Sequence, residues 1–158
     1  MRQRGVISLY VCLATATLWL SAAPADKTER ELRALVPKIL EAWATLDMTK
    51  VEPYYASDSD LVFFDIMPMK YANWAEYRAG AQKIFFESNQ RIAFKINDDL
   101  QVHHRGKLAW ATLTFGADIT SKQGAQTHLD ARWTMVFEQR QGRWVVVHEH
   151  VSAPLPSP

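Results

Sequence analysis

The chain has 158 residues, of which 18 are Lys or Arg and 17 are Asp or Glu, for a formal net charge of +1. That length predicts one domain, and 48% hydrophobic content with 11% aromatic residues supplies a packed core. A near-zero charge without a basic run excludes the footprint of nucleic-acid binding, 22% charged residues exclude global disorder, and one cysteine excludes an intrachain disulfide.

Arg2 and Arg4 precede an apolar run from Val6 to Leu20, and Ala23-Pro24-Ala25 follows it. This order is that of a secretory signal, with cleavage expected between Ala25 and Asp26. The run is shorter than the roughly 20 residues that span a bilayer. An uncleaved anchor is the alternative. The lone Cys12 lies inside the run and leaves with it. The mature protein is expected to be periplasmic or secreted, with no stable membrane anchor.

Leu32, Leu35, Val36, Ile39, Leu40, Trp43 and Leu46 recur every three or four residues and predict an amphipathic helix from Lys27 to Asp47. Pro37 removes a backbone donor, so a kink or break is expected there. A further helical turn is expected between Met48 and Ala56. Leu61-Val62-Phe63-Phe64 reads as a short buried strand between Asp60 and Asp65. Trp74, Tyr77, Ala81, Ile84 and Phe85 mark a second helix, from Asn73 to Ser88.

From Arg91 onward the pattern has period two, and Arg105-Gly106, Gln123-Gly124 and Gln141-Gly142 divide it into four strands joined by hairpins. Helices followed by an antiparallel meander predict an α+β fold, a curved sheet with helices on one face. Glutamine is a poor residue for positive φ, so both Gln-Gly turns are read as three-residue loops closed by glycine. Ser121 then pairs with Ala125, and Gln139 with Arg143. Thr112 falls opposite Thr134, Thr114 opposite Arg132, Arg132 opposite His150 and Thr134 opposite His148. One sheet face carries Trp110, Thr112, Arg132, Thr134, Trp144, His148 and His150. The other carries Leu113, Phe115, Trp133, Met135, Phe137, Val145 and Val147.

The polar face reads as a pocket lining, because its tryptophans and scarcity of Lys and Glu do not suit a plain solvent face. A solvated outer face is the alternative. His148-Glu149-His150 has metal-ligand spacing, with His128 as a third candidate, but Arg132 beside His150 opposes a divalent cation. A His-x-His metal-binding protein is therefore the less favoured alternative, and no metal ligand is assigned. Among the carboxylates, Asp60 and Asp118 read as loop caps or strand-end solvent residues. Asp65 precedes the apolar loop Ile66-Met67-Pro68-Met69, with Tyr71 and Trp74 just beyond, and is the candidate general base. No Ser-His-Asp elbow, phosphate loop or dinucleotide fingerprint is present, and no cofactor is expected.

The run from Ala131 to Phe137, then Gly142-Arg143-Trp144-Val145-Val146-Val147-His148-Glu149-His150-Val151-Ser152, resembles the SnoaL-like branch of the nuclear-transport-factor-2-like superfamily. The resemblance spans Glu29 to Pro154. It implies a cone-shaped α+β half-barrel, N-terminal helices on a strongly curved antiparallel sheet, formed by residues 26–158 with a short Pro-rich tail after the signal of residues 1–25. It also implies an internal pocket containing Arg132, Thr134, His148 and His150, and a dimer formed through the sheet. Members of the superfamily include ketosteroid-isomerase-like enzymes, polyketide cyclases and kinase association domains.

The function expected is that of an exported, homodimeric pocket protein for a small, partly apolar, anionic molecule. If it is catalytic, the chemistry is cofactor-free proton transfer or isomerisation. Asp65 or His148 would move the proton, and Arg132 with His150 or Tyr71 would stabilise an oxyanion. Tyr71, Trp74, Trp110, Thr112, Arg132, Thr134 and His150 would contact the ligand. The alternative is a non-catalytic dimeric association module that buries Trp133, Met135, Phe137, Val145 and Val147.

Overall fold

The computed structural model describes residues 26–155; the expected signal segment lies outside them. Asp26 caps the first helix by accepting from the Glu29 amide at 2.8 Å, and α1 runs Lys27–Ala44. It passes through Pro37 without breaking into two pieces. Leu32, Val36, Ile39, Leu40 and Trp43 form one buried stripe on both sides of the proline. Burial of that stripe, about 1.5–3 kcal/mol for each large side chain, outweighs one missing hydrogen bond of about 1 kcal/mol. Asp47 then caps the short α2 (Met48–Val51), which continues into a 3-10 turn at Glu52–Tyr54.

The Leu61–Phe64 stretch is not a strand of its own. Phe63 bridges Tyr71, and Phe64 bridges His150 at the edge of the sheet. Asn73 caps α3 (Trp74–Gly80), whose axis continues as a π-helical turn over Ala81–Phe86.

The sheet has five antiparallel strands rather than four: β1 (Asn89–Ile96), β2 (Gln101–Arg105), β3 (Leu108–Ser121), β4 (Gln126–Arg140) and β5 (Arg143–Ser152). β1 and β2 both pair with β3, along its later and earlier halves. The break between them is built by polar side chains at Thr114. Asp99 accepts from the Thr114 amide at 2.9 Å and from its hydroxyl at 2.8 Å, and Asn97 donates to the same hydroxyl at 2.8 Å. Those groups take the place of ladder bonds, as Asn and Asp do at turns.

The β3–β4 hairpin has the expected three-residue loop. Ser121 N–H donates to Ala125 at 2.8 Å, Gly124 sits at φ +86°, and Thr112 pairs with Thr134 and Thr114 with Arg132. The β4–β5 hairpin differs. Arg140 pairs with Arg143 across a two-residue turn with φ 50° at Gln141 and 79° at Gly142. The register then slips once, between Phe137 paired with Val146 and Val136 paired with His148, leaving Val147 as a bulge. The turn and the bulge each shift the count by one. His148 and His150 therefore stay on the expected face, opposite Val136 and Thr134, while Trp144 moves to the buried face opposite Gln139. Thr134 thus faces His150 rather than His148, and Arg132 faces Ser152.

The helices cover the apolar face. Trp133, Met135 and Phe137 are at most 3% exposed and pack with α1, α3 and the π turn in one core. The architecture is an α+β half-barrel, a curved, open five-stranded sheet with helices on its concave side.

Candidate active site

A cavity of about 240 Å³ lies between the helices and the concave face of the sheet. Its walls are almost wholly apolar and aromatic: Trp43 from α1, Tyr77, Ala81 and Phe85 from α3 and its π turn, and Phe94, Phe115, Ala117 and Trp133 from the sheet. Ile66 and Met67 border it from the loop, and both are exposed. Among the described residues, two lining side chains carry a carboxyl group, Asp65 and Glu149, and no Lys, Arg or His lines the cavity.

Glu149 is 1% exposed and sits at the centre of a donor network. Tyr55 donates its hydroxyl to the carboxylate at 2.7 Å, Trp133 donates its indole N–H at 3.1 Å, and Tyr77 donates to the other oxygen. Trp43 in turn donates to the Tyr55 hydroxyl at 2.9 Å. Burial pushes the Glu149 acid up to about 7, opposed by the Tyr77 and Tyr55 hydrogen bonds and reinforced by the charge of Asp65. Burial and the charge of Glu149 also drive the Tyr55 and Tyr77 phenols well above the ordinary value, so both remain donors.

Asp65 stands at the same cavity, half-buried. Its one hydrogen bond among the described residues is accepted from the Ile66 amide at 2.7 Å. Burial raises its acid to about 6, and that amide bond pulls the other way. Tyr71 also lines the cavity, its phenol pushed up to about 12 by burial and then by Asp65. Gly80 leaves room for it: a Cβ there would overlap the Tyr71 ring.

Asp65 and Tyr71 therefore meet at the cavity, and the remaining expected site residues do not. Trp74 is buried behind it, stacked on Tyr55 with ring centroids 4.7 Å apart. Trp110, Thr112, Arg132, Thr134, His148 and His150 lie on the convex face, because their strand neighbours Phe115, Trp133 and Val151 point inward. His148 donates from Nδ1 to the Val62 carbonyl at 2.7 Å, and both His148 and His150 pack edge-on against Phe64. His128 is at the far end of the sheet, paired with Asp118 and Asp130. Among the described residues, no group of three His, Cys, Asp or Glu side chains could hold a metal ion.

Glu149 escapes a reading centred on the flanking histidines. Its signal is parity: a carboxylate between two outward histidines must point inward, alongside Val151.

Comparison with known proteins agrees with this architecture. Residues 32–156 match the SnoaL-like domain. The chain belongs to the SnoaL-like family. The SnoaL-like chain also superposes on solved structures of the wider superfamily. A nuclear-transport-factor-2-like superfamily protein from Salmonella enterica serovar Typhimurium is 16% identical, with a TM-score of 0.75 over 82% of this chain and 93% of that one. A protein of unknown function from Pseudomonas putida, with the same fold, is 25% identical, with a TM-score of 0.69 over 82% and 88%. The CaMKII association domain of C. elegans is 18% identical, with a TM-score of 0.64 over 80% and 95%. No curated protein matches the chain.

Proposed function

We propose that this SnoaL-like protein binds a small, largely apolar molecule in the cavity and that Asp65 moves a proton on it without a cofactor. The observation that carries this reading is a half-buried carboxyl, hydrogen-bonded to the Ile66 amide, at the wall of an aromatic cavity, where burial raises its acid to about 6. An acid in that range can accept and return a proton near neutral pH, the property general acid–base catalysis requires. Tyr71, whose phenol keeps its proton, is placed to donate a hydrogen bond to a developing oxyanion. The anionic ligand expected from Arg132 loses its support, because that guanidinium is on the other side of the sheet.

We also propose that the chain is exported and that it dimerises through the convex face. Trp110, Thr134, Val136 and His148 are half-buried there, with few charges between them. An association module built on Trp133, Met135 and Phe137 is disfavoured, since the chain's own helices cover those residues.

The test is a mass-spectrometric search for small molecules retained by the purified protein. A compound expected in the wild type should be absent from an Ala117→Phe variant, which fills the cavity, and present in Arg132→Met. Asp65→Asn should keep binding it and should lower any turnover by about 10²–10⁴-fold. Equal retention by the Ala117→Phe variant would sink the cavity reading.

A further inference from the structure

We propose that the cavity selects a hydrophobic ammonium, an apolar ring or chain carrying a protonated or quaternary nitrogen, over neutral and anionic molecules of the same shape. The inference rests on the cavity being a binding site and concerns the charge of its ligand.

The donors and acceptors around the cavity are unevenly matched. The strong donors near it, Tyr55, Tyr77 and the indole of Trp133, are all committed to Glu149. Among the described residues, Tyr71 reaches only the Met67 carbonyl, at 3.5 Å, and is the one lining hydroxyl left for a ligand. An oxyanion entering the cavity would meet no lining cation among the described residues and would add a third negative charge beside Asp65 and Glu149. Neutralising those acids by protonation relieves repulsion and still supplies no positive charge.

A cation meets the reverse situation. Asp65 has acceptor capacity left after its bond to the Ile66 amide, and Glu149 holds its charge within a shell of three donors. The walls add the aromatic rings of Trp43, Tyr71, Tyr77, Phe85 and Phe115. Aromatic faces attract ammonium groups by their quadrupole, most strongly where water is excluded. Carboxylate and aromatic rings together are the chemistry of ammonium recognition, and the cavity supplies both with no cation to compete.

Size limits the ligand. A dry cavity of roughly 150 Å³ takes benzene, so about 240 Å³ admits a bicyclic ring or a ring with a short chain. The exposed side chains of Ile66, Met67 and Ile84 at the rim suit a ligand whose body is hydrocarbon.

The test uses three probes of one shape, naphthylmethylamine, naphthylmethanol and naphthoate, titrated into the full chain by calorimetry at about pH 8. At that pH the amine remains largely protonated and both carboxyls are largely ionised. The amine should bind at least ~10-fold tighter than the alcohol, and naphthoate should be the weakest. In Asp65→Asn the preference for amine over alcohol should shrink several-fold, while in Arg132→Met, on the other side of the sheet, it should stay at the wild-type value. Glu149→Gln should shrink it in the same direction. An alcohol that binds as tightly as the amine would overturn the ammonium inference and leave the cavity reading standing. Failure of all three probes to bind would overturn both.

Discussion

Asp65 and Glu149 are held to one cavity by the backbone between them. The Phe64 amide donates to the Glu149 carbonyl at 2.9 Å, and the Val151 amide donates to the Phe64 carbonyl at 3.0 Å. Phe64 thus extends the β5 edge and turns its ring outward to the histidines, which sends the next side chain, Asp65, inward beside Glu149. The two acids are separate in sequence and fixed together by main-chain bonds that need no particular side chain.

That arrangement predicts a pH dependence of stability. Both acids have folded-state values raised above their ordinary ones, Glu149 from 4.5 to about 7 and Asp65 from 3.8 to about 6. A raised acid binds protons more tightly in the folded state. Its contribution is fully present below the unfolded value and is lost as pH climbs through the folded one. Unfolding free energy should therefore fall between about pH 4 and 7, by on the order of 3 kcal/mol from Glu149 alone. Urea titrations across that range should show the fall in the wild type and a flatter profile in Glu149→Gln. His128, raised by its bond to Asp118, slopes the same way but remains in the variant. An unchanged slope in Glu149→Gln would remove Glu149 as its source.

The convex face gives a second prediction. Trp110, Val136 and His148 form one row across three strands, and Thr112, Thr134 and His150 form the next. A sheet-to-sheet dimer would bury both rows, and Val136→Glu would place a charge in its middle. Sedimentation should show a dimer for the wild type and a monomer for Val136→Glu. Cavity binding should stay within about 0.5 kcal/mol, as for a surface change remote from the site. Arg132→Met should likewise leave cavity affinity unchanged, the reverse of what a guanidinium lining the pocket would give.

Export has its own readout. Arg2, Arg4 and Ala23-Pro24-Ala25 predict that protein recovered outside the cytoplasm begins at Asp26. That residue caps α1 and pairs with His104 at 2.6 Å, so cleavage there would leave the first helix its cap. A chain retained in the membrane fraction with Val6 to Leu20 still attached would contradict the prediction.

The sequence made some of this legible for identifiable reasons. Strict alternation from Leu113 to Ala117 and from Ala131 to Phe137, with Gly124 closing a three-residue loop, defines the β3–β4 register. Asp65 and Tyr71 stand out because they flank an apolar loop. A polar row looks like a pocket when ligand chemistry is sought among polar residues, and the sequence alone leaves open which face the helices cover. The helices bury apolar stripes, and only the apolar face gives those stripes a partner. Glu149 is then the exception on that face, and its three donors come from Tyr55, Tyr77 and Trp133, far apart in sequence. No local pattern announces such a convergence.

The β4–β5 turn yields the last prediction, because there the chain departs from the turn chemistry its residues favour. Gln141 adopts φ 50°, a left-handed conformation that costs an ordinary side chain roughly 1–2 kcal/mol and costs asparagine less. The turn holds because Arg140 pairs with Arg143 immediately below it, and the bulge at Val147 then restores the inward aim of Glu149 and Val151. Asparagine followed by glycine is the sequence such a two-residue turn prefers. Gln141→Asn should therefore stabilise the protein by about 0.5–1 kcal/mol in urea unfolding, without changing ligand binding in the cavity. Deleting Val147 makes the contrasting variant: without the bulge, one end of β5 must turn its inward residues out. Either Trp144 and Val146 or Glu149 and Val151 would leave the core, at several kcal/mol. A Val147 deletion as stable as the wild type would show that the bulge does not set the inward aim of Glu149.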